Sequence, residues 1–528
     1  MDDVIAIIEA SKAWESNNFE AYYNWISEGL KINHRNYELY LMLGQYYSLI
    51  NPDQAYLCYE NASFYCDVDE DRNQIEVFKK DLLANNELTI RKTAIIILSY
   101  NNIQITKECI ESIRTNNDIN SYQLIVIDNA STDGIQNWLT QQEDIIYKLN
   151  KENKGFPAGC NQGIEMAMSD MDVFFLNNDT IIPPNALFWL RMGLYESEEI
   201  GAAGSVSNNA VNYQQVKADY QTIDQWLEYG CKNNVPVKHP YESKGWLVGF
   251  ALLVKRPALD KTGCLDVRFT PGNYEDNDFC IRLLLNGYKL LLCKNSFIFH
   301  YGSKSFQKKP EGYYNLLREN EIKLEKKWDF DYIPFSVVNP YIIENILPQA
   351  DKFSVLEINC KLGCTLSRIK SMYPGAYVIG TECREKLYIL AKTVTNVIQI
   401  NIEEIFDETD PLQYEYIIID NALTAIDNTE SILTRSKNLL SQSGTILFSV
   451  KNKDYIGNKN MAVLEGGGLS LQDIVDSANK AGLRIIDVAY TRGRPTEEDY
   501  NFLFNKGING NELLLCTVDT YNITLKNP

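Results

Sequence analysis

An apolar run that stops abruptly in two amides and a carboxylate constrains this chain most. Val173-Phe174-Phe175-Leu176 is followed by Asn177-Asn178-Asp179-Thr180 and then by Pro183-Pro184. A continuous apolar run bounded by turn signals reads as a strand of a parallel sheet, buried on both faces. Ligands of open α/β sheets bind outside the carboxyl ends of such strands, which is where Asp179 stands. A lone carboxylate there is ordinarily an N-cap or turn residue, so its neighbours decide what it does.

Those neighbours come from the same kind of place. Thr93–Tyr100 reads as a strand that turns at Asn101-Asn102 into an amphipathic helix over Thr106–Arg114. Leu124–Ile127 reads as a second strand, ending in Asp128-Asn129-Ala130-Ser131-Thr132-Asp133-Gly134. A strand-helix-strand unit of this length is expected to be right-handed and parallel. Asn153-Lys154-Gly155-Phe156-Pro157-Ala158-Gly159-Cys160-Asn161 reads as a glycine-punctuated loop opening a helix, whose free amides can hold phosphate oxygens. Three polar strand ends in one sheet make a crevice.

The series LSYNN, VIDNASTDG, NKGFPAGCNQG and FLNNDT resembles the family 2 glycosyltransferases of GT-A fold. Downstream, Gly245-Trp246-Leu247-Val248-Gly249-Phe250 resembles the family's sugar- and acceptor-facing segment, and Glu275-Asp276 with Arg282 its ED motif and trailing arginine. Phe299-His300-Tyr301-Gly302-Ser303-Lys304-Ser305 resembles its late histidine segment, and Arg318-Glu319-Asn320 to Lys327-Trp328 its closing helix. The resemblance spans about residues 93 to 329, in family order.

The resemblance implies roles. A nucleotide-sugar donor leaves as a diphosphate whose growing charge must be neutralised. A divalent Mg or Mn ion held by few carboxylates does this. Asp179 and His300 are the implied ligands, and Asn177 and Asn178 fill the remainder of the DxD-type motif. Asn177 in place of the first aspartate lowers the charge of the site. Inversion needs a base opposite the leaving group, and Asp276 resembles it, with Glu275 as its supporting neighbour. A structural alternative is that this acidic cluster caps a helix beginning near Asp278. Asp128 resembles the nucleobase contact, Tyr100 and Asp133 flank it, and Lys154, Gly155 and Asn161 join the donor-binding set. Trp246 is expected to stack on sugar or acceptor.

Residues 1–88 read as all-helical, with Pro52 the one proline. Tyr40, Leu43, Gly44, Tyr47, Ala55, Tyr59 and Ala62 resemble a tetratricopeptide repeat, and Ala10, Ala13, Ala21 and Trp25 stand 34 residues before Gly44, Tyr47, Ala55 and Tyr59. Two such repeats are expected to pack on the next domain. Residues 330–350 read as a proline-bearing connector. From Phe353 a second α/β series begins: Glu357, Asn359, Lys361 and Gly363 near its first strand end, Glu382 after Ala376–Thr381, Asp420-Asn421 after Tyr416–Ile419, and a late strand at Gly444–Val450. This order resembles class I S-adenosylmethionine-dependent methyltransferases. Only Gly363 remains of the glycine-rich loop, so side chains at Asn359 and Lys361 crowd the backbone approach the cofactor needs. Gly363, Glu382 and Asp420 are the residues such a cofactor would meet, and S-adenosylmethionine is expected to bind poorly or not at all.

Composition removes other classes. A net charge of −20 over 528 residues argues against general nucleic-acid binding and against an anionic membrane surface. No run of about 20 apolar residues spans a bilayer, and the twelve scattered cysteines read as reduced core thiols of a cytoplasmic protein. The expectation is a multidomain chain: an α-helical repeat at 1–88, an α/β GT-A nucleotide-sugar domain at 89–329, a linker at 330–350 and a Rossmann-like methyltransferase fold at 351–528. It is read as an inverting bacterial enzyme moving sugar from a UDP- or dTDP-linked donor to a glycan or protein acceptor, with homo-oligomerisation left open. The rivals are a bifunctional glycosyltransferase/methyltransferase and a non-catalytic sugar-nucleotide scaffold.

Overall fold

The computed structural model describes residues 2–302, 310–330, 332–400, 413–420, 429–456, 468–493, 497–505, 508 and 515–528. They divide into two compact units, Met1–Tyr332 and Ile333–Pro528. Ser303, Lys304, Ser305 and Asn421 of the motifs above lie outside the described residues.

The first unit opens with helices Asp3–Glu15, Phe19–Ile32, Tyr37–Tyr47, Pro52–Tyr65 and Asp69–Asn85. Asparagine starts three of them for a physical reason. The side chains of Asn18, Asn36 and Asn51 accept hydrogen bonds from the amides of Ala21, Leu39 and Gln54, which a helix start leaves without partners. The small/large alternation is close packing. A Cβ on Gly44 would stand 2.3 Å from the Tyr59 ring, and one on Gly29 2.7 Å from Leu39.

These helices share one core with the sheet that follows. The helix Ala186–Leu194 has all nine residues buried, because its outer side meets the N-terminal helices. Phe188 lies edge-on to Tyr40 at 5.4 Å, Gln54 donates to the Met192 carbonyl at 2.8 Å, and the buried Arg191 pairs with Glu60. The sequence pattern shows this helix as apolar all round, which fits burial on two sides.

The sheet has eight strands. They comprise β1 (Thr93–Ser99), β2 (Tyr122–Asp128), β3 (Ile145–Leu149), β4 (Asp172–Asn177), β6 (Ile200–Val206), β7 (Tyr241–Ser243), β8 (Ala251–Val254) and β9 (Lys289–Phe297), in the order β3-β2-β1-β4-β8-β6-β9-β7. Two short strands, β5 (Thr180–Ile181) and β10 (Phe299–His300), form a separate antiparallel pair. The expected all-parallel setting of the Val173–Leu176 strand is half the picture: β4 runs parallel to β1 and antiparallel to β8. Both its faces are buried all the same, which is why it reads as a continuous apolar run. Strand order reverses between β1 and β4, so their carboxyl ends flank a crevice.

The second unit holds a seven-stranded sheet: β11 (Ser354–Glu357), β12 (Tyr377–Thr381), β13 (Val397–Ile398), β14 (Tyr414–Asp420), β15 (Leu440–Lys451), β16 (Arg484–Arg492) and β17 (Val518–Lys526). The order is β13-β12-β11-β14-β15-β17-β16, with β17 antiparallel to both neighbours. This is a Rossmann-like arrangement, with the strand order expected of the methyltransferase fold. Part of the expected connector is helical, at Tyr332–Ser336 and Pro340–Asn345. Ile342 and Ile343 are buried, and Asn339 caps the second helix through the Tyr341 amide. No helix among the described residues is long and apolar enough to cross a membrane.

Candidate active site

The metal-ligand candidates meet because β5 pairs with β10. Thr180 stands opposite His300, and the Tyr301 amide donates to the Asp179 carbonyl at 2.9 Å. That register puts Nε2 of His300 3.2 Å from Oδ1 of Asp179. The imidazole stacks on Phe250, with centroids 5.1 Å apart, and its Nδ1 lies 2.9 Å from the Asn209 carbonyl. A carbonyl can only accept, so Nδ1 carries a proton; whenever the ring is neutral, the Nε2 lone pair faces the carboxylate. Two acceptors then face each other, and Nε2 is buried without a hydrogen bond among the described residues. Burial opposes a charge on the ring, but Asp179 and the Asn209 carbonyl outweigh it and raise the His300 pKa. Either a second proton on Nε2 or a divalent cation can stand between the two. No cluster of three or more metal-ligating side chains exists among the described residues. Two ligands suit Mg or Mn, which keep waters and take substrate phosphates for the rest of their shell.

The Asn208 amide grips the His300 backbone on both sides. Its oxygen accepts from the His300 amide at 2.8 Å and its nitrogen donates to the His300 carbonyl at 3.0 Å. Asn178 is tied back by donating to Thr106 at 2.8 Å, so its amide nitrogen braces the turn.

The segment Gly249-Phe250 joins this pair to the acidic motif. The Asn177 amide donates to the Phe250 carbonyl at 2.8 Å, and the Gly249 amide donates to Oδ2 of Asp276 at 2.9 Å. The Asn277 amide holds the other carboxylate oxygen at 2.9 Å. The helix here is Glu275–Leu285, three residues earlier than a cap near Asp278 required. Asn273 and Tyr274, both at φ 73°, make the left-handed turn that starts it. Asp278 is therefore inside the helix, fully buried, and bonded to Arg282 at 2.9 Å, Trp328 at 3.0 Å and Lys327 at 2.5 Å. Glu275 is 6% exposed, and its Oε2 has no hydrogen-bond partner among the described residues. Burial, then the neighbouring Asp276 charge, push its pKa well above the carboxylate range, and burial raises Asp276 as well. A base works only when ionised, so the rate should fall as pH drops through its pKa. We expect the acid limb of kcat above the ordinary carboxylate value of about 4. A limb at or below that value would contradict the burial.

Gly249 is required by proximity, since a Cβ there would stand 3.2 Å from the Asp276 Cβ and 3.3 Å from its Oδ2. Gly249→Ala should lower kcat by on the order of 10-fold or more while leaving donor affinity intact. Steady-state kinetics with a direct donor-binding measurement checks this.

The opposite wall is mixed. Asp128 is fully buried; its Oδ2 accepts from the Ser131 amide at 3.0 Å and Gln136 at 2.7 Å, and its Oδ1 has no partner among the described residues. Tyr100 is 43% exposed at the end of β1. Asp133 is committed to the backbone, accepting from the Ile103 amide at 2.6 Å. The 153–161 loop departs from the expected phosphate cradle. The Gly155 amide donates to Asn153, the Phe156 amide donates to the Pro271 carbonyl, and Pro157 has no amide hydrogen. Lys154 pairs with Glu152 at 3.2 Å on the surface, and Asn161 clamps both backbone groups of Leu265. These side chains shape the loop. The half-buried Trp246 keeps an indole N–H buried and without a partner among the described residues.

Residues 94–255 match the model of the family described as Glycosyl transferase family 2. Over that stretch the chain is similar to family 2 glycosyltransferases. The matched stretch includes Tyr100 through Trp246 of the candidate set and ends before Asp276 and His300. No curated protein matches the chain. Among solved structures, a mannosyltransferase from Pyrobaculum calidifontis in complex with GDP-Man and Mn2+ is 16% identical, with TM-score 0.31, covering 48% of this chain and 70% of its own. A putative S-adenosylmethionine-dependent methyltransferase from Listeria monocytogenes is 18% identical, with TM-score 0.27, covering 36% of this chain and 97% of its own. A third, an S-adenosylmethionine-dependent methyltransferase from Mesorhizobium loti, is 13% identical, with TM-score 0.27, covering 35% and 96%.

A residue of the closing helix supports the acidic motif from beneath. Asn320, fully buried on the helix Pro310–Trp328, donates to the carbonyls of Phe269, Gly272 and Asn273 at 2.9 to 3.1 Å. It fixes the turn that presents Glu275 and Asp276. An asparagine in a charged helix gives no sign of this by itself. In the second unit, Gly363 starts the helix Cys364–Met372 at φ 70°, while Glu382 and Asp420 sit buried at strand ends with side chains already bonded to them.

Proposed function

We propose that the first unit transfers sugar, with inversion, from a UDP- or dTDP-linked donor to a bacterial glycan or protein acceptor in the cytoplasm. The observation that carries this reading is the Gly249-Phe250 segment. One residue binds Asp276, the next stacks on His300 and receives the Asn177 amide, so base and metal pair share one rigid support.

Asp179 and His300 would hold a Mg or Mn ion, which when bound neutralises the diphosphate leaving group. Asp276, its carboxylate fixed by two amides, takes the proton from the acceptor hydroxyl. Glu275, neutral in its buried pocket, leaves that carboxylate as the ionised member of the pair. The unpartnered Oδ1 of Asp128 accepts from an N–H on the nucleobase edge, and its burial makes a mismatched base costly. Trp246 offers ring face and N–H to sugar or acceptor. The helices at 1–88 we assign to acceptor presentation, as a tetratricopeptide-like module seated on the catalytic sheet.

Screening UDP- and dTDP-sugars for hydrolysis with Mg or Mn present tests the reading. One donor should turn over well above the rest. Equal inertness of all of them, with nucleotide binding retained, would favour a non-catalytic scaffold.

A further inference from the structure

The second unit repeats the geometry of the first at the place where a ligand would bind. Its parallel strands reverse order between β11 and β14, and open α/β sheets take ligands at the carboxyl ends beside such a reversal. Around it stand Asp420 at the end of β14, Glu382 just past β12 and the loop that follows β11. That loop has Asn359, Lys361 and Gly363 at φ 50°, 57° and 70°. The backbone is therefore of the kind glycine adopts freely, with side chains at two of its three left-handed positions.

One of those side chains crosses the reversal. Lys361 leaves the β11 loop and sets its ammonium 2.8 Å from Oδ2 of Asp420, with side-chain exposures of 12% and 5%. Asn339 donates to the other Asp420 oxygen at 3.1 Å. Glu382 is saturated too. Its two oxygens accept from the Lys361 amide at 3.1 Å, the Arg384 amide at 3.0 Å and two guanidinium nitrogens at 2.7 and 2.8 Å. The Arg384 guanidinium lies over the Phe335 ring at 4.8 Å.

S-adenosylmethionine, which the fold implies, does not fit these residues. A ribose would have to displace Arg384 from Glu382, and the cofactor's amino-acid end would meet the Lys361 stem where it needs backbone. We propose that Lys361 is the permanent occupant of this crevice, an internal ammonium ligand that takes the place of a bound cofactor. The second unit then does no methyl transfer. Its crevice is a structural ion-pair site that contrasts with the Asp179–His300 pair of the first unit, where no lysine intervenes among the described residues.

A buried pair is costly to break because the partner left behind stays charged and desolvated. Here that partner is Asp420, with the buried Glu357 nearby on β11. The test uses the full chain. Calorimetric titration with S-adenosylmethionine and with S-adenosylhomocysteine, up to about 1 mM, should show no binding to the wild type. Lys361→Ala should lower the melting temperature of the second unit by about 10 °C. Ethylammonium chloride should recover part of that loss, sodium chloride at equal ionic strength should recover none, and the wild type should respond to neither. Should Lys361→Ala fail to fold, the double variant Lys361→Met/Asp420→Asn, which removes both charges, should fold and melt closer to wild type. Micromolar cofactor binding by the wild type would overturn the proposal. So would a Lys361→Ala protein as stable as wild type, or a double variant no more stable than the single one.

Discussion

Asp179→Ala should lower sugar transfer by on the order of 10²- to 10³-fold, the loss seen when one preorganised group that stabilises developing charge is removed. The carboxylate follows the carboxyl end of β4 and is locked there by its own carbonyl, which accepts from Tyr301, and by the Thr180–His300 pairing. Removing it leaves His300 alone, a single neutral nitrogen too weak to hold a hard divalent ion. The fold should persist, because Asp179 is only partly buried and the turn is bound by the Thr180 hydroxyl donating to the Asn177 carbonyl at 2.8 Å. Transfer assays beside a thermal melt separate the two effects. Wild-type turnover by Asp179→Ala would remove the residue from the mechanism.

Asp276→Asn should lower transfer by about 10²-fold or more, the usual contribution of a positioned base. The substitution keeps shape and keeps an oxygen able to accept from the Gly249 amide, so position is preserved while basicity is lost. Donor affinity should stay near wild type, since the carboxylate is held by the Gly249 and Asn277 amides and its proposed role is towards the acceptor. Calorimetry with the donor alone gives the discriminating readout. Lost donor affinity with an intact residual rate would make Asp276 a binding residue.

How much of this was legible in the residues depends on whether the signal was local. The β4 run and its polar end were, because burial on both faces leaves a continuous apolar pattern and then a sharp stop. The ends of β1 and β2 were legible for the same reason. The meeting of Asp179 with His300 had no local sign: it depends on a pairing of two-residue strands more than a hundred positions apart. Resemblance supplied that pairing, and geometry gives it a cause. The start of the helix at Glu275 was misplaced, because it rests on two non-glycine residues in left-handed conformation, which turn statistics disfavour. The loop at 153–161 looked like an anion cradle on its glycines and helix start. Tertiary partners, the Pro271 carbonyl for Phe156 and Leu265 for Asn161, absorb the groups that made it look so. Lys361 was legible as a side chain in a loop that resembles a glycine-rich one, but its destination at Asp420 lies in the fold and was out of reach of the sequence.

Donor hydrolysis by the purified full chain, followed with and without excess EDTA and then with Mn restored, tests the central claim most directly. The Asp179–His300 pair predicts loss of nearly all turnover on chelation and its return with Mn, with the donor preference unchanged throughout. Undiminished hydrolysis in excess EDTA would contradict a metal role for the pair and with it the proposed chemistry.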